Sequence, residues 1–183
     1  MNVMAPCLPE RSITEHLPLA AQAGAPMNEF IELMFFAYRD FVGDADARLG
    51  KLGLGRAHHR VLHFVARRPG LTIAELLDVL KITKQSLNRV LKELLGRSYV
   101  AARPGAQDRR QRQLFPTPEG EALALEVALL QTRRFKRVFA SLPQGAGAHA
   151  AAFLLAMADP AEQSKIAAMT GAGAALFRHG AAP

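Results

Sequence analysis

The fold is decided by residues 83–96, which read Thr-Lys-Gln-Ser-Leu-Asn-Arg-Val-Leu-Lys-Glu-Leu-Leu-Gly. Thr83 is a preferred N-cap residue, and the apolar residues after it recur at helical spacing, which predicts a helix over roughly Lys84–Gly96. Its inward face is expected to carry Leu87, Val90, Leu91 and Leu94. Its outward face is basic and rich in amides, with Lys84, Gln85, Asn88, Arg89 and Lys92.

Two more helices are predicted just before this one. Thr72 caps a short helix that continues to Leu80, with Ala74, Leu77 and Leu80 as its apolar residues, and Ile82-Thr83 forms a tight turn into the next helix. A helix over about Arg56–Arg67 precedes both, places Val61, Leu62 and Val65 inward, and is ended by Pro69-Gly70. Two short helices joined by a tight turn, the second with a basic outer face, are typical of a helix-turn-helix.

After residue 98 the periodicity changes from helix to strand. Tyr99–Arg103 reads as a strand, residues 104–108 have turn chemistry, and Gln111–Phe115 reads as a second strand. The predicted hairpin, or wing, therefore covers residues 99–115. We expect its second strand to end by Phe115, because Pro116 cannot donate a hydrogen bond to a ladder.

Thr117-Pro118-Glu119 combines an N-cap, a proline and a first-turn acid, so a helix is expected from there to about Ala140. A last helix is predicted over Ala148–Ala158. At the other end of the chain, a long helix should cover about Asn28–Leu49, with Asn28 as its cap, and it is apolar around nearly its whole circumference. Such a helix is buried from more than one side, and a second subunit can supply the second side.

The excess positive charge is concentrated between Lys81 and Arg112. This stretch holds nine basic and two acidic residues, a net charge of +7, which equals the net charge of the whole chain. A neutral scaffold with one cationic surface indicates a polyanionic partner such as nucleic acid. In B-DNA, Gln85 and Asn88 suit adenine edges and Lys84 or Arg89 suit guanine, while Lys92, Arg97 and Arg103 suit phosphates.

These residues resemble the MarR family of bacterial transcription regulators. The resemblance rests on Leu71–Leu77, on Ser86–Leu94, and on Asp108-x-Arg110 followed nine residues after the Asp by Thr117-x-x-Gly120. Within the family, Ile82–Arg89 is similar to the PetP-like regulators. The resemblance covers roughly residues 28–158 and implies a homodimer that reads a pseudo-palindromic operator in double-stranded DNA, with Arg110 entering the minor groove and Asp108 bracing the wing.

The expected fold is therefore mainly α with a small β-hairpin wing, in which a winged helix-turn-helix DNA-binding region joins a helical dimerisation region. Residues 56–116 would form the first region, and residues 27–55 with 117–159 the second. Residues 1–26 are expected to be a mobile arm, and residues 160–183 a frayed C-terminal tail. The expected DNA-binding residues are Lys84, Gln85, Ser86, Asn88, Arg89, Lys92, Arg103, Arg109, Arg110 and Arg112.

A small-molecule effector is a further expectation from the resemblance. The helix over 56–67 borders the family's effector cleft, so His58, His59, Arg60 and His63 are candidates for contact with an acidic ligand. His59 and His63 have a spacing that can bind a metal, but two ligands do not complete a zinc site, and we expect no metal and no cofactor. Cys7 lies well ahead of the first helix and is expected to be inert rather than redox-active.

Other classes of protein fit the sequence less well. No nucleophile motif, phosphate loop or placed carboxylate pair indicates an enzyme. The alternative is a nucleic-acid-binding protein without sequence specificity, although the basic stretch holds only one aromatic residue, Tyr99, for stacking on single-stranded bases. No apolar run reaches 18 residues and no secretory signal is evident. We therefore expect no membrane association and a cytoplasmic protein.

Overall fold

A computed structural model describes residues 26–105, 108 and 111–171 of the chain. Its elements are the helices and strands α1 (Asn28–Gly50), α2 (Arg56–Arg67), β1 (Leu71–Thr72), α3 (Ile73–Leu80), α4 (Lys84–Gly96), β2 (Val100–Pro104), β3 (Arg112–Pro116), α5 (Pro118–Ala140), α6 (Ala146–Ala156) and α7 (Gln163–Thr170). The prediction of a mainly helical chain with a small β wing is confirmed. The predicted arm, with Cys7, lies outside the described residues except at Pro26.

Threonine caps define the helix-turn-helix. The Thr72 hydroxyl accepts a hydrogen bond from the Glu75 amide, and the Glu75 carboxylate accepts from the Thr72 amide at 2.8 Å, a reciprocal capping box. The pKa of Glu75 is lowered by hydrogen bonds to its carboxylate, mainly from the Thr72 amide and also from the Thr72 hydroxyl. Thr83 accepts from the Ser86 amide at 3.2 Å. Both predicted caps are therefore confirmed, and they set where α3 and α4 begin.

The sheet has three antiparallel strands in the order β1-β3-β2, one more than the predicted hairpin. Leu71 pairs with Leu114, and Thr72 with Gln113. A segment of two residues is too short to show the alternation of apolar and polar residues that predicts a strand. The strand β1 is therefore recognised only from its pairing with β3 in the structure. The added strand ties the start of the helix-turn-helix to the wing.

Pro116 is the last residue of β3, so the prediction that this strand ends by Phe115 is wrong. Pro116 lies opposite Val100. The neighbouring pair is hydrogen-bonded, with the Thr117 amide donating to the Tyr99 carbonyl oxygen at 3.2 Å. Because hydrogen-bonded and non-hydrogen-bonded pairs alternate in antiparallel ladders, no amide of residue 116 is needed toward β2, and proline is tolerated there.

One core joins the C-terminal half of α1, the helices α2–α5 and the sheet. The predicted inward residues of α4 (Leu87, Val90, Leu91, Leu94) and of α2 (Val61, Leu62, Val65) are all buried. In α3, Leu76 and Leu80 are buried, Leu77 is partly buried and Ala74 is exposed, so of the three apolar residues noted in the sequence only Leu80 is fully in the core. Burial of each large apolar side chain stabilises the folded state by roughly 1.5–3 kcal/mol. Because one face of α4 is fixed in the core in this way, the opposite face points to solvent.

The helices α1, α6 and α7 show three departures from the sequence-based expectations. Asn28 is the first helical residue of α1 rather than its cap, since the Ile31 amide bonds to the Met27 carbonyl. The helix α6 begins two residues early, after Gly145 at φ +88°. The expected frayed tail contains α7. In the described part of the chain, no helix is long and apolar enough to cross a membrane.

The described residues divide within α1 into two units, one up to Asp40 and one from Phe41 onward. In the first unit, residues 31–40 are all exposed, including large apolar side chains. In the second unit, α1 buries Val42, Ala45 and Leu49, and Phe41 lies 5.4 Å from Phe135 between ring centroids. The sequence predicted a helix buried on more than one side, whereas residues 31–40 of this helix are exposed among the residues that the structure describes.

Candidate nucleic-acid interface

The outward face of α4 carries the residues that the sequence placed there. Lys84, Gln85, Asn88, Arg89 and Lys92 are all exposed. Among the described residues, none of these side chains has a hydrogen-bond or ion-pair partner. One face of this helix therefore presents three cationic and two amide side chains to solvent. These side chains can bond to an external polyanion without breaking an internal contact.

Ser86 makes two hydrogen bonds with the cap residue Thr83 at the start of α4. Its amide donates to the Thr83 hydroxyl oxygen, and its own hydroxyl oxygen accepts from the Thr83 hydroxyl at 3.0 Å. The Ser86 hydroxyl proton is not used in either bond. Ser86 therefore completes the cap and still has one donor to offer outward.

The base of the wing is fastened to α5 through Thr117. The Thr117 hydroxyl accepts from the Gly120 amide at 3.0 Å and donates to the Ser98 carbonyl oxygen at 2.5 Å. The sequence identified Thr117 as a cap but missed the second bond, which holds the chain just before β2. The Thr-x-x-Gly spacing was the available signal, because it places the hydroxyl and a small residue at the same end of α5.

Two basic side chains of the wing are described, Arg103 and Arg112, and both are exposed. The Arg103 guanidinium lies 4.8 Å from the centroid of the Phe115 ring, a cation–π contact that orients it. At the hairpin end, Gly105 and Asp108 each hydrogen-bond to Gln111 through the backbone, at 2.8 and 3.0 Å. The predicted contacts Arg109 and Arg110 lie outside the described residues.

Two cations of the basic stretch are engaged within the chain. The Lys81 ammonium lies 2.7 Å from an Asp78 carboxylate oxygen and 3.1 Å from one of Glu162. The Arg97 guanidinium donates to the Leu52 carbonyl oxygen at 2.5 Å, so its predicted phosphate contact competes with this bond. Within the basic stretch, the described cations that are not engaged in this way therefore lie on α4 and the wing strands.

The four residues of the predicted effector cleft do not form one cluster. His58 has a side chain only 13% exposed; its Nδ1 accepts from the Gly55 amide, and its Nε2 lies 3.1 Å from Glu93. This tautomer leaves Nε2 to donate to the Glu93 carboxylate, so His58 links α2 to α4. Arg60 donates to the Leu80 carbonyl oxygen at 3.1 Å, at the end of α3.

His59 and His63 lie together on another face of α2, with ring centroids 6.3 Å apart in an edge-to-face arrangement. The pKa of His59 is lowered mainly by burial and also by the nearby positive charge of His63. Burial and then Arg67 and Arg68 lower the pKa of His63. Both imidazoles are therefore held toward their neutral form. Over the described ranges, no group of three or more His, Cys, Asp or Glu side chains is placed to hold a metal ion.

Comparison with known proteins agrees with this arrangement. A family model described as "MarR family" matches residues 52–111, from before α2 into the wing. The chain is 45% identical over 131 residues to the HTH-type transcriptional regulator PetP of Rhodobacter capsulatus, covering 72% of this chain and 79% of that protein. The relative therefore shares most of its length with this chain.

Solved structures share the fold. The S. aureus MepR–DNA complex matches with a TM-score of 0.58 at 18% identity, over 70% of this chain and 95% of that chain. Streptococcus pneumoniae FabT in complex with DNA matches with a TM-score of 0.64 at 14% identity, over 70% of this chain and 92% of that chain. At these identities the likeness concerns the fold alone.

Proposed function

Because the chain belongs to the MarR family of transcriptional regulators, we propose that it binds double-stranded DNA as a homodimer at a pseudo-palindromic operator. Like its relatives, it is a transcriptional regulator and not an enzyme. In this proposal α4 (84–96) enters the major groove and the wing (99–115) reaches the minor groove. The observation that carries the proposal is the exposed face of α4, whose cations and amides have no partner among the described residues.

The side chains of α4 divide by the chemistry they offer. Gln85 and Asn88 can pair bidentately with adenine, and Arg89 or Lys84 with guanine. The free proton of the Ser86 hydroxyl suits a phosphate at the helix start. Lys92 and, on the wing strands, Arg103 and Arg112 suit phosphates as well.

The tip of the wing completes the interface in this proposal. By the family pattern, Arg110 enters the minor groove, Arg109 contacts the backbone, and Asp108 braces the turn. The support is the ordered base of the hairpin, which Thr117 fastens to α5. A narrow minor groove attracts arginine because its negative potential is enhanced.

Exposed apolar surface supports the homodimer. In the N-terminal half of α1, six large side chains are at least 36% exposed: Ile31, Leu33, Met34, Phe35, Phe36 and Tyr38. In the second unit, exposed apolar residues on and beside α5 and α6 include Leu125, Leu129, Phe135, Val138, Phe153, Leu154 and Met157. Apolar surface of this extent marks an association site. We assign dimerisation to residues 27–55 and 117–159, and DNA binding to residues 56–116.

Two symmetric winged helices would read half-sites about one helical turn apart. The protein would act in the cytoplasm, where a bacterial chromosome is accessible, and a small-molecule effector would alter its DNA affinity. His59 and His63 remain candidates for that contact, while His58 and Arg60 would have to leave their present bonds to Glu93 and Leu80.

The test is a mobility-shift titration with the DNA directly upstream of the gene for this protein, against a scrambled duplex, at two salt concentrations. Selective binding with a steep salt dependence supports the proposal, because each phosphate contact adds about one unit to the salt slope. Equal affinity for both duplexes would favour the alternative, a nucleic-acid-binding protein without sequence specificity.

A further inference from the structure

The helix α7 lies against the helix-turn-helix with little apolar contact. None of its side chains is buried, and a cavity of about 540 Å³ lies between Ile166 and Met169 on one side and Phe64 and Val79 on the other. Arg68 donates a hydrogen bond to the Met169 carbonyl oxygen. A helix of eight residues is not stable on its own in water. The docking of α7 therefore depends on its polar contacts.

An ionic network joins the start of α7 to α3. The Glu162 carboxylate, directly before α7, lies 3.1 Å from the Lys81 ammonium, and Lys165 bonds to Asp78. The Lys81 ammonium also lies 2.7 Å from Asp78, and the Lys165 ammonium lies 3.8 Å from Glu162. All four side chains are at least 32% exposed. Because salt screens exposed charges, this network is weak and can be released.

Lys81 has a backbone conformation that usually belongs to glycine. It follows the last residue of α3 with φ 49° and ψ 47°, in the left-handed region where a Cβ is unfavourable and where many helices end with glycine. A cation at this place is favourable to the dipole of α3. An unfavourable conformation that is retained also points to a function for the side chain itself.

The position of Lys81 is next to the proposed DNA surface. Thr83 caps α4, and the exposed face of that helix begins at Lys84. On DNA, the N-terminal residues of a recognition helix contact base edges while the preceding helix crosses the backbone. In the proposed complex, the junction of α3 and α4 therefore lies beside phosphates, where a lysine at position 81 can reach one. In the structure its ammonium bonds to carboxylates instead.

We propose that Glu162 makes an autoinhibitory contact, in which it competes with a DNA phosphate for Lys81. The inference rests on the proposed DNA binding. Asp78 is a neighbour of Lys81 on the same helix and stays beside it in either state, whereas Glu162 moves away when α7 undocks. Docking of α7 and binding of DNA therefore weaken each other, and by linkage each does so by the same factor.

The first test is Glu162→Gln, which removes the charge and keeps the size of the side chain. Affinity for a scrambled duplex should rise on the order of fivefold, and the slope of log affinity against log salt concentration should grow by about one unit for each subunit. The reason is that a freed lysine adds one phosphate contact. Equal affinity and equal slope for the wild type and Glu162→Gln would overturn the proposal.

Glu121→Gln is the matched control. Glu121 is an exposed carboxylate on α5, and in the described part of the chain it holds no cation. Its replacement removes the same charge but releases no lysine, so the salt slope should stay as in the wild type. A slope that grows as much in Glu121→Gln as in Glu162→Gln would mean that net charge alone is responsible.

A double variant assigns the effect to Lys81. In a Lys81→Gln background, Glu162→Gln should change affinity no more than Glu121→Gln does, because no lysine remains to be released. An equal gain with and without Lys81 would overturn the competition. Since phosphate contacts carry no sequence information, the scrambled duplex is sufficient here. Equal wild-type affinity for the scrambled and upstream duplexes would refute sequence specificity and leave this result intact.

The docking of α7 is measured by hydrogen exchange of its backbone amides, followed by mass spectrometry. Without DNA, exchange in residues 163–170 should become faster as NaCl is raised from about 0.05 to about 0.5 M, because salt screens the ionic network. Glu162→Gln should exchange faster already at the lower salt concentration. At that concentration the scrambled duplex should also speed exchange in the wild type. Exchange in α7 that changes with neither salt nor duplex would overturn the proposal.

Discussion

The α-carbon of Gly120 in the first turn of α5 packs directly against the backbone carbonyl group of Tyr99. A Cβ added to Gly120 would overlap the carbonyl oxygen and would lie 2.8 Å from the carbonyl carbon. The same carbonyl accepts the Thr117 amide. Because the opposing atoms are backbone, no side-chain rotation can make room, and α5 meets the wing at a distance that only glycine permits.

Gly120→Ala should therefore destabilise the folded state, by about 1–3 kcal/mol or more as expected for overpacking against an unyielding neighbour. The measurement is urea unfolding followed by circular dichroism. Gly43→Ala in α1 is the matched control, since nothing lies within 4 Å of its added Cβ. Alanine there should stabilise the helix by roughly 0.5–1 kcal/mol. Equal midpoints for the wild type and Gly120→Ala would contradict the close approach.

The sequence predicted most of what local chemistry determines. Thr72, Thr83 and Thr117 each gave a helix start, because capping depends on a hydroxyl and amides within three residues. Contacts between distant segments left no such signal. Lys81 pairs with Glu162 and Arg97 bonds to Leu52, which engages two cations of the basic stretch, and neither Glu162 nor Leu52 is near its partner in sequence.

Two features of the fold were beyond sequence patterning for the same reason. The strand β1 is two residues long and exists through its pairing with β3. The helix α7 is weakly patterned, and its ionic bonds to α3 come from a segment more than 80 residues away. Tertiary contacts, rather than the secondary-structure propensity of their own residues, therefore account for both elements.

Asn88→Ala or Arg89→Ala should cost about 1–3 kcal/mol of operator affinity and relax base preference at one position in each half-site. Both side chains are exposed on α4, so neither change should affect folding. The measurement is binding to a panel of operators with single base changes. A uniform loss across the panel would mean that the residue holds a phosphate. Arg133→Ala on α5 is the control for loss of charge alone.

Arg110→Ala should weaken DNA binding and reduce the slope of log affinity against log salt concentration by about one unit. The reason is the loss of one cation from the proposed minor-groove contact. Titrations at four salt concentrations, with Arg112→Ala measured in parallel, separate the wing tip from its base. An unchanged affinity for Arg110→Ala would refute the assignment of this residue to DNA.

Phe35→Asp should convert the dimer to monomer, because Phe35 is 69% exposed and a buried, unpaired charge at an interface is strongly unfavourable. Sedimentation velocity measures the change, and Phe35→Tyr, which keeps the ring, should remain dimeric. Phe41 is a poorer test, since its ring packs on Phe135 and a change there would also disturb the monomer. A Phe35→Asp protein that still sediments as a dimer would exclude this helix face from the interface.

Stability should fall as the pH drops below about 6.5, the ordinary pKa of histidine. The folded state lowers the pKa of His59 and His63, first through burial, so below that pH the unfolded chain binds protons that the folded chain does not. Proton uptake by the unfolded state favours unfolding, and the loss levels off once the pH lies below the folded pKa values. His63→Gln should flatten the dependence of the unfolding midpoint on pH between 7 and 5. A His63→Gln profile that parallels the wild type would show that this imidazole is not held neutral in the folded protein.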